Sequence, residues 1–236
     1  MNLLLLFAQD FISPDRVRLT DHRLQHLLSV KKIKVNERLT VGLVNDRIGW
    51  GTVIAVDDRQ IELSVLLHKE PVRALPVHLI LALPRPKMLK RILQTISAMG
   101  VKHISLIHSA KVEKSYWQTP WLQQDKMQQH LILGLEQAKD TIMPEVRCYQ
   151  RFKPFVEDVL PTLIQGSRAI IAHPGRGDIC LADSQQAVTL AIGPEGGFVD
   201  YEVDKFEQAG FSSCHLGERI LRVENAIPVL LGRLGT

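Results

Sequence analysis

Val77 to Leu83, Arg168 to Ala172 and Val188 to Ile192 are apolar runs with almost no polar alternation. Strands of this kind must be covered on both faces, which limits the chain to folds whose helices pack on both sides of a mostly parallel sheet. The segments between them supply helices. Lys87 to Met99 carries Met88, Ile92, Leu93, Ile96 and Met99 at helical period, and Gly100 stands where a C-cap glycine belongs. The alternation continues with a strand at His103 to Ile107, a helix over Trp121 to Ala138, a strand at Glu145 to Tyr149 and a helix over Pro154 to Leu163. Asp200 is the expected cap of a helix running to Ala209, with Glu202 and Asp204 near its positive end. The fold class is α/β.

Residues 1 to 72 follow another pattern. Leu39 to Val44, Trp50 to Val56 and Gln60 to Leu66 read as short strands, separated by turn residues at Asn45 to Gly49 and Asp57-Asp58. Strands at this spacing fit a small barrel, with a short helix over Asp21 to Val30; Trp50 either stacks against RNA or, the favoured reading, fills the barrel core. Glu70 to Pro76 holds two prolines and reads as a linker, so the expected division is 1–72 and 73–236. The apolar run Leu3 to Ala8 is too short for a membrane span, lacks a preceding basic residue and reads as a first strand. A cytoplasmic protein with no membrane association is expected.

Cys148, Cys180 and Cys214 are widely spaced, have no metal-ligand pattern and read as small buried apolar residues with no disulfide framework. The nine histidines form no zinc motif, so no metal is expected. The net charge of +4 is partly clustered. Arg16, Arg18, Arg23, Lys31, Lys32 and Lys34 crowd one segment, and Arg85, Lys87, Lys90 and Arg91 form a second cluster without an acid. Two such clusters point to a nucleic acid whose phosphates the first group contacts.

Three glycine-bearing loops follow predicted strands: His173 to Gly177, Gly193 to Gly197 and Leu216-Gly217. In parallel α/β sheets, ligands bind beyond the carboxyl ends of the strands. Neither the Gly-x-Gly-x-x-Gly pattern of dinucleotide sites nor the Gly-Lys-Ser/Thr of a P-loop is present. The loops instead suit a small ligand held by backbone atoms, which glycine lets come close.

Gly193-Pro194-Glu195-Gly196-Gly197-Phe198, then Glu202, Gly210-Phe211, Leu216-Gly217 and Arg219-Ile220-Leu221-Arg222-x-Glu224-x-Ala226, resemble the signature of the 16S ribosomal RNA uracil-N3 methyltransferases, members of the SPOUT superfamily. Ala82-Leu83-Pro84, Lys87-Met88, Gly100-Val101, Gln137 to Val146 and His26 to Val35 extend the likeness over nearly the whole chain. The resemblance implies a parallel-sheet domain with a deep trefoil knot, otherwise very rare, after a small RNA-binding β-barrel. It also implies a homodimer through the knot domain, S-adenosylmethionine as cofactor and ribosomal RNA of the small subunit as partner.

On this resemblance Ile192, Gly193, Glu195, Gly196, Gly197, Leu216, Gly217, Ile220 and Leu221 line the cofactor pocket. Methylation at N3 of uracil removes a proton from a nitrogen between two carbonyls, and a fixed cation stabilises the charge that spreads onto their oxygens. Arg222 is the candidate for that cation, with an ion pair to Glu224 as its structural alternative; Glu224 orients Arg222 or accepts the proton. The chain departs from the family pattern at Asn225, an expected N-cap for a last helix beginning near Ala226, and at Lys31, Lys32 and Asn36. Two alternatives stay open: a knotted methyltransferase with another RNA target or ribose 2′-O chemistry, and a non-catalytic RNA-binding ribosome-assembly protein.

Overall fold

Short alternating segments build the first part of the chain. The computed structural model describes residues 2–180 and 186–234 and divides them between two units, 1–73 with 135–143 and 74–134 with 144–236. In the first unit, β1 (Leu4–Leu6), β2 (Phe11–Ser13), β3 (Arg16–Leu19), β4 (Arg38–Leu43), β5 (Ile48–Val56) and β6 (Ile61–Lys69) form one mixed, curled sheet in the order β1-β4-β5-β6-β3-β2. Its inner face buries Leu4, Leu6, Val17, Leu39, Val53 and Leu63. The β2–β3 hairpin carries no strong periodic signal in the sequence. Residues 135–143, which the sequence assigns to the second part, belong here: Glu136 O accepts from the N–H groups of Asn2 and Leu3 at 3.2 and 3.0 Å, and Asn45 N–H donates to Thr141 O at 2.8 Å.

The helix expected over Asp21 to Val30 is split. The Asp21 side chain caps α1 (His22–His26) by accepting from the Arg23 N–H, and a π-turn over Leu27–Lys31 follows, closed by Lys32 at a φ of 51°. Arg23 is therefore not on the surface with the other basic residues; it is 7% exposed. Its guanidinium forms a two-pronged pair with Asp10 at 2.7 Å on each side, donates to both Asp21 carboxylate oxygens and also donates to Leu5 O at 2.9 Å. Burial works against its charge, but the hydrogen bonds to Asp10 and Asp21 outweigh burial and hold its pKa above the ordinary arginine value. It serves the fold and is unavailable to phosphates. Trp50 also departs from expectation: it points outward from β5 and is 42% exposed.

The second unit carries the parallel sheet: β7 (Leu75–Ala82), β8 (Val101–Ile107), β9 (Glu145–Tyr149), β10 (Arg168–Ala172), β11 (Asp178–Ile179), β12 (Val188–Ile192) and β13 (Ser212–His215). Their order is β11-β13-β10-β12-β7-β8-β9 and every neighbouring pair is parallel. The helices of this unit are α2 (Pro86–Ala98), α3 (Gln124–Ala138) as far as residue 134, the short α4 (Phe152–Pro154) and α5 (Leu160–Leu163), α6 (Asp200–Gln208) and α7 (Val223–Leu234). Two helix starts are corrected. Val199, not Asp200, is the N-cap of α6, and Glu202 accepts from the Val199 N–H at 3.0 Å. α7 begins at Val223, and the Arg222 carbonyl accepts from Asn225 and Ala226 N–H, so Asn225 lies in the first turn and caps nothing. No helix among the described residues is long and apolar enough to cross a membrane.

Removing Asp10 strands a buried guanidinium against a single remaining carboxylate. Asp10→Ala is expected to cost about 3 to 5 kcal/mol in urea unfolding, whereas loss of a surface pair costs under about 1 kcal/mol. A second prediction concerns His78 on β7, whose Nε2 lies 2.9 Å from Ser105 Oγ. Burial, reinforced by the nearby His103 and Arg147 charges, depresses its pKa from 6.5 to about 4. The folded state thus resists protonating this ring. The stability it contributes is complete above pH 6.5 and is lost as pH falls towards 4. The Tm advantage of the wild type over His78→Gln should shrink on acidification through that window.

Candidate functional site

The register of the parallel strands brings three strand ends level. Cys214 of β13 sits opposite Ala172 of β10, and Ala172 opposite Ile192 of β12. The loops leaving these ends border a cavity of about 620 Å³, within the range of small-molecule sites. All nine residues expected to line a cofactor pocket border it: Ile192, Gly193, Glu195, Gly196, Gly197, Leu216, Gly217, Ile220 and Leu221. Lys111, His173, His215, Val223, Ala226 and Leu230 border it as well. The His173 loop is legible as glycine-bearing, but nothing in the sequence singles out Lys111, which arrives from the segment after β8.

The Gly193 to Val199 loop is held from several sides. Gly197 N–H donates to Pro194 O at 2.8 Å, closing a tight turn that puts Gly197 at a φ of +70°. Lys111 Nζ donates to Gly196 O at 2.7 Å, and Glu195 Oε1 accepts from the Arg85 N–H at 3.0 Å. Glu202, 2% exposed, ties the loop to the segment after β8 by accepting from both Ala110 N–H at 2.7 Å and Val199 N–H. These bonds use side chains to fix the loop and leave part of its backbone facing the cavity. Across from it, His215 Nδ1 accepts from the Gly217 N–H at 3.0 Å, and Gly217 holds a φ of +107°. His173 lies within hydrogen-bonding distance of Pro174 O through Nδ1 and of Phe198 O through Nε2. A left-handed φ at Gly197 and Gly217 is strained for any other residue.

Arg222 and Glu224 do not border the cavity. They flank Val223, which does, at the start of α7. Arg222 is exposed and Glu224 half-buried, and among the described residues no ion pair joins them. The alternative of a structural pair is thus not realised. Cys180 and Cys214 are both buried, as expected, but are joined as a disulfide, because β13 and the end of β11 bring distant positions together. Cys148, expected to be buried, is exposed on β9 at the sheet edge. Of the basic residues in the first unit, Arg16, Lys31, Lys32 and Lys34 are exposed, Arg18 pairs with Glu62 at 2.8 Å, and Arg23 is buried as described.

Residues 71–235 match the family model of the RNA methyltransferase domain. The ribosomal RNA small subunit methyltransferase E of Treponema pallidum is 27% identical over 240 residues, covering 96% of this chain and 87% of that protein. The protein of the same name from Mesomycoplasma hyopneumoniae is 30% identical over 155 residues, 66% of this chain and 67% of its own length. Among solved structures, the S-adenosylmethionine-bound ribosomal RNA small subunit methyltransferase E of Neisseria gonorrhoeae shares the fold with a TM-score of 0.76 at 20% identity, covering 98% of this chain and 95% of that one. The chain belongs to the RNA methyltransferase domain family, alongside the ribosomal RNA small subunit methyltransferase E proteins.

Proposed function

We propose that this chain transfers a methyl group from S-adenosylmethionine to N3 of a uridine in the RNA of the small ribosomal subunit. The observation that carries the reading is the cavity at three level strand ends, bordered by backbone-rich glycine loops. Its chemistry suits the cofactor. Ala172, Ile192, Leu216, Val223, Ala226 and Leu230 supply apolar surface for an adenine, while the loop backbone offers C=O groups to a sulfonium and N–H and C=O groups to the polar ends. Bound there, S-adenosylmethionine supplies an electrophilic methyl group.

The chain's own task is to hold the base and stabilise its anion. Arg222 suits that role because its side chain is exposed, unpaired among the described residues, and carried at the N-terminus of α7, where the helix dipole adds positive potential. Glu224 stands in the first turn of the same helix, and its role in this reading is to orient Arg222 or receive the N3 proton. Further parts of the reading are the trefoil knot in the second unit, a barrel in the first, a cytoplasmic location and a homodimer through the knot domain. The exposed Ile220, at 81%, with Leu221 and Val229 nearby in sequence, gives such a dimer apolar surface to cover. Arg16, Lys31, Lys32 and Lys34 are left as phosphate contacts.

Two substitutions separate binding from chemistry. Gly197→Val imposes a side chain on a left-handed φ beside the cavity and should abolish S-adenosylmethionine binding by calorimetry; unchanged affinity rejects the pocket. Arg222→Ala should retain cofactor affinity and lose about a hundredfold or more in methyl-transfer rate. A folded variant with the full rate excludes Arg222 from the reaction. Mass spectrometry of small-subunit RNA from cells lacking the chain locates the missing methyl group, and its appearance on a ribose or another base overturns the N3 assignment.

A further inference from the structure

The outer face of the first unit's sheet has a composition that its fold does not explain. The outward side of an antiparallel sheet is ordinarily polar. Here the register sets Arg38, Thr52, Ser64 and Arg16 in one row across β4, β5, β6 and β3, and Thr40, Trp50 and Leu66 in the next. Trp50 is 42% exposed and Leu66 65%, side by side on paired strands. The Arg38 guanidinium lies over the Trp50 ring, 4.9 Å from its centroid. Glu62, the acid of this face, is taken by Arg18, and among the described residues no carboxylate pairs with Arg38 or Arg16. The two free arginines stand at the ends of a row three strand spacings wide, about 14 Å.

An exposed indole flanked by unpaired arginines and small hydroxyls offers one flat apolar surface and two positive charges. A partner that matches both must be planar, apolar on its faces and anionic along its edge. We infer that this face is a base-stacking site for single-stranded RNA, with Trp50 as the platform and Arg38 and Arg16 as the phosphate clamps at either side. A nucleobase stacks on the indole in place of the Arg38 guanidinium, which turns to the adjoining phosphate; Thr52 and Ser64 supply hydroxyls between. Only unpaired bases expose the π-face that such a platform requires, so duplex RNA is excluded from it. This deepens the proposed function, on which it rests for the RNA, by naming where that RNA is held apart from the methyl-transfer cavity.

The test uses the full chain with Trp117→Phe and Trp121→Phe, which leaves Trp50 as its sole indole. Titration with a short single-stranded RNA of mixed sequence should quench Trp50 emission, and the same sequence as a duplex should not. Trp50→Ala in the otherwise natural chain should weaken single-strand binding about tenfold, with Trp50→Phe recovering most of it. Arg38→Gln, which leaves the ring in place, should reduce the slope of log affinity against log salt by roughly 0.7. Emission that does not change at saturation, equal quenching by the duplex, or wild-type affinity in Trp50→Ala overturns the inference. So does a self-association seen by sedimentation that Trp50→Ala abolishes while RNA affinity is unchanged, since the face then contacts protein. Calorimetry with S-adenosylmethionine and the methyl-transfer assay are read separately. A chain active in both with a silent Trp50 loses this inference alone; a quenched Trp50 without methyl transfer loses the proposed reaction alone.

Discussion

The parallel register of β13, β10 and β12 is the constraint on which the cavity depends. Parallel pairing sets Cys214, Ala172 and Ile192 level, so β10 and β12 end together and β13 one residue later. Whatever follows each strand then converges on the same space. Had β13 paired one residue out of step, the Leu216-Gly217 turn would have shifted and its side chains exchanged faces. The glycine loops thus form a site because the sheet delivers them together, and because Lys111, Glu195 and Glu202 fasten the middle loop to segments that leave β7 and β8. Fixing a loop with side chains frees its backbone to meet a ligand, and preorganised backbone donors lose little entropy when the ligand arrives.

The first unit shows the opposite use of charge. Arg23 is drawn from a run of basic residues and yet lies in the interior, because Asp10 and Asp21 converge on it from two separate turns. A buried arginine is tolerated only when its donors are met, and here Nε and both terminal nitrogens have partners. Among the arginines left outside, Arg18 and Arg47 each pair with one carboxylate, Glu62 and Glu70, whereas Arg16 and Arg38 have none among the described residues. Counting basic residues along the chain therefore overstates the positive surface; the sheet register, which sorts Arg16 and Arg38 outward and engages Arg18 with Glu62, decides what a polyanion meets.

Strands with strong apolar runs and helices with clear period were legible to within a few residues, among them β10 and β12 at their full extents. Weak elements were not. The β2–β3 hairpin and β11 are short and rely on neighbours for their hydrogen bonds, so local composition carries little trace of them. Helix starts slipped because Asp200 and Asn225 are good caps in isolation, while the chain began each helix one or more residues earlier. The cysteines illustrate the same limit: Cys180 and Cys214 are 34 residues apart and meet only when β11 lies beside β13.

The sequence by itself determined the α/β class, the glycine loops at the strand ends and the kinship with RNA methyltransferases. Each of these is written in local patterns: apolar runs, helical period and a motif whose residues lie close along the chain. Tertiary structure alone decided which loops share a cavity, that Arg23 is interior, that Trp50 is exterior and that 135–143 joins the first unit. Those outcomes depend on pairing between residues far apart in sequence. No local pattern encodes that pairing, because the energy that selects it comes from packing and hydrogen bonds formed only once the chain has folded.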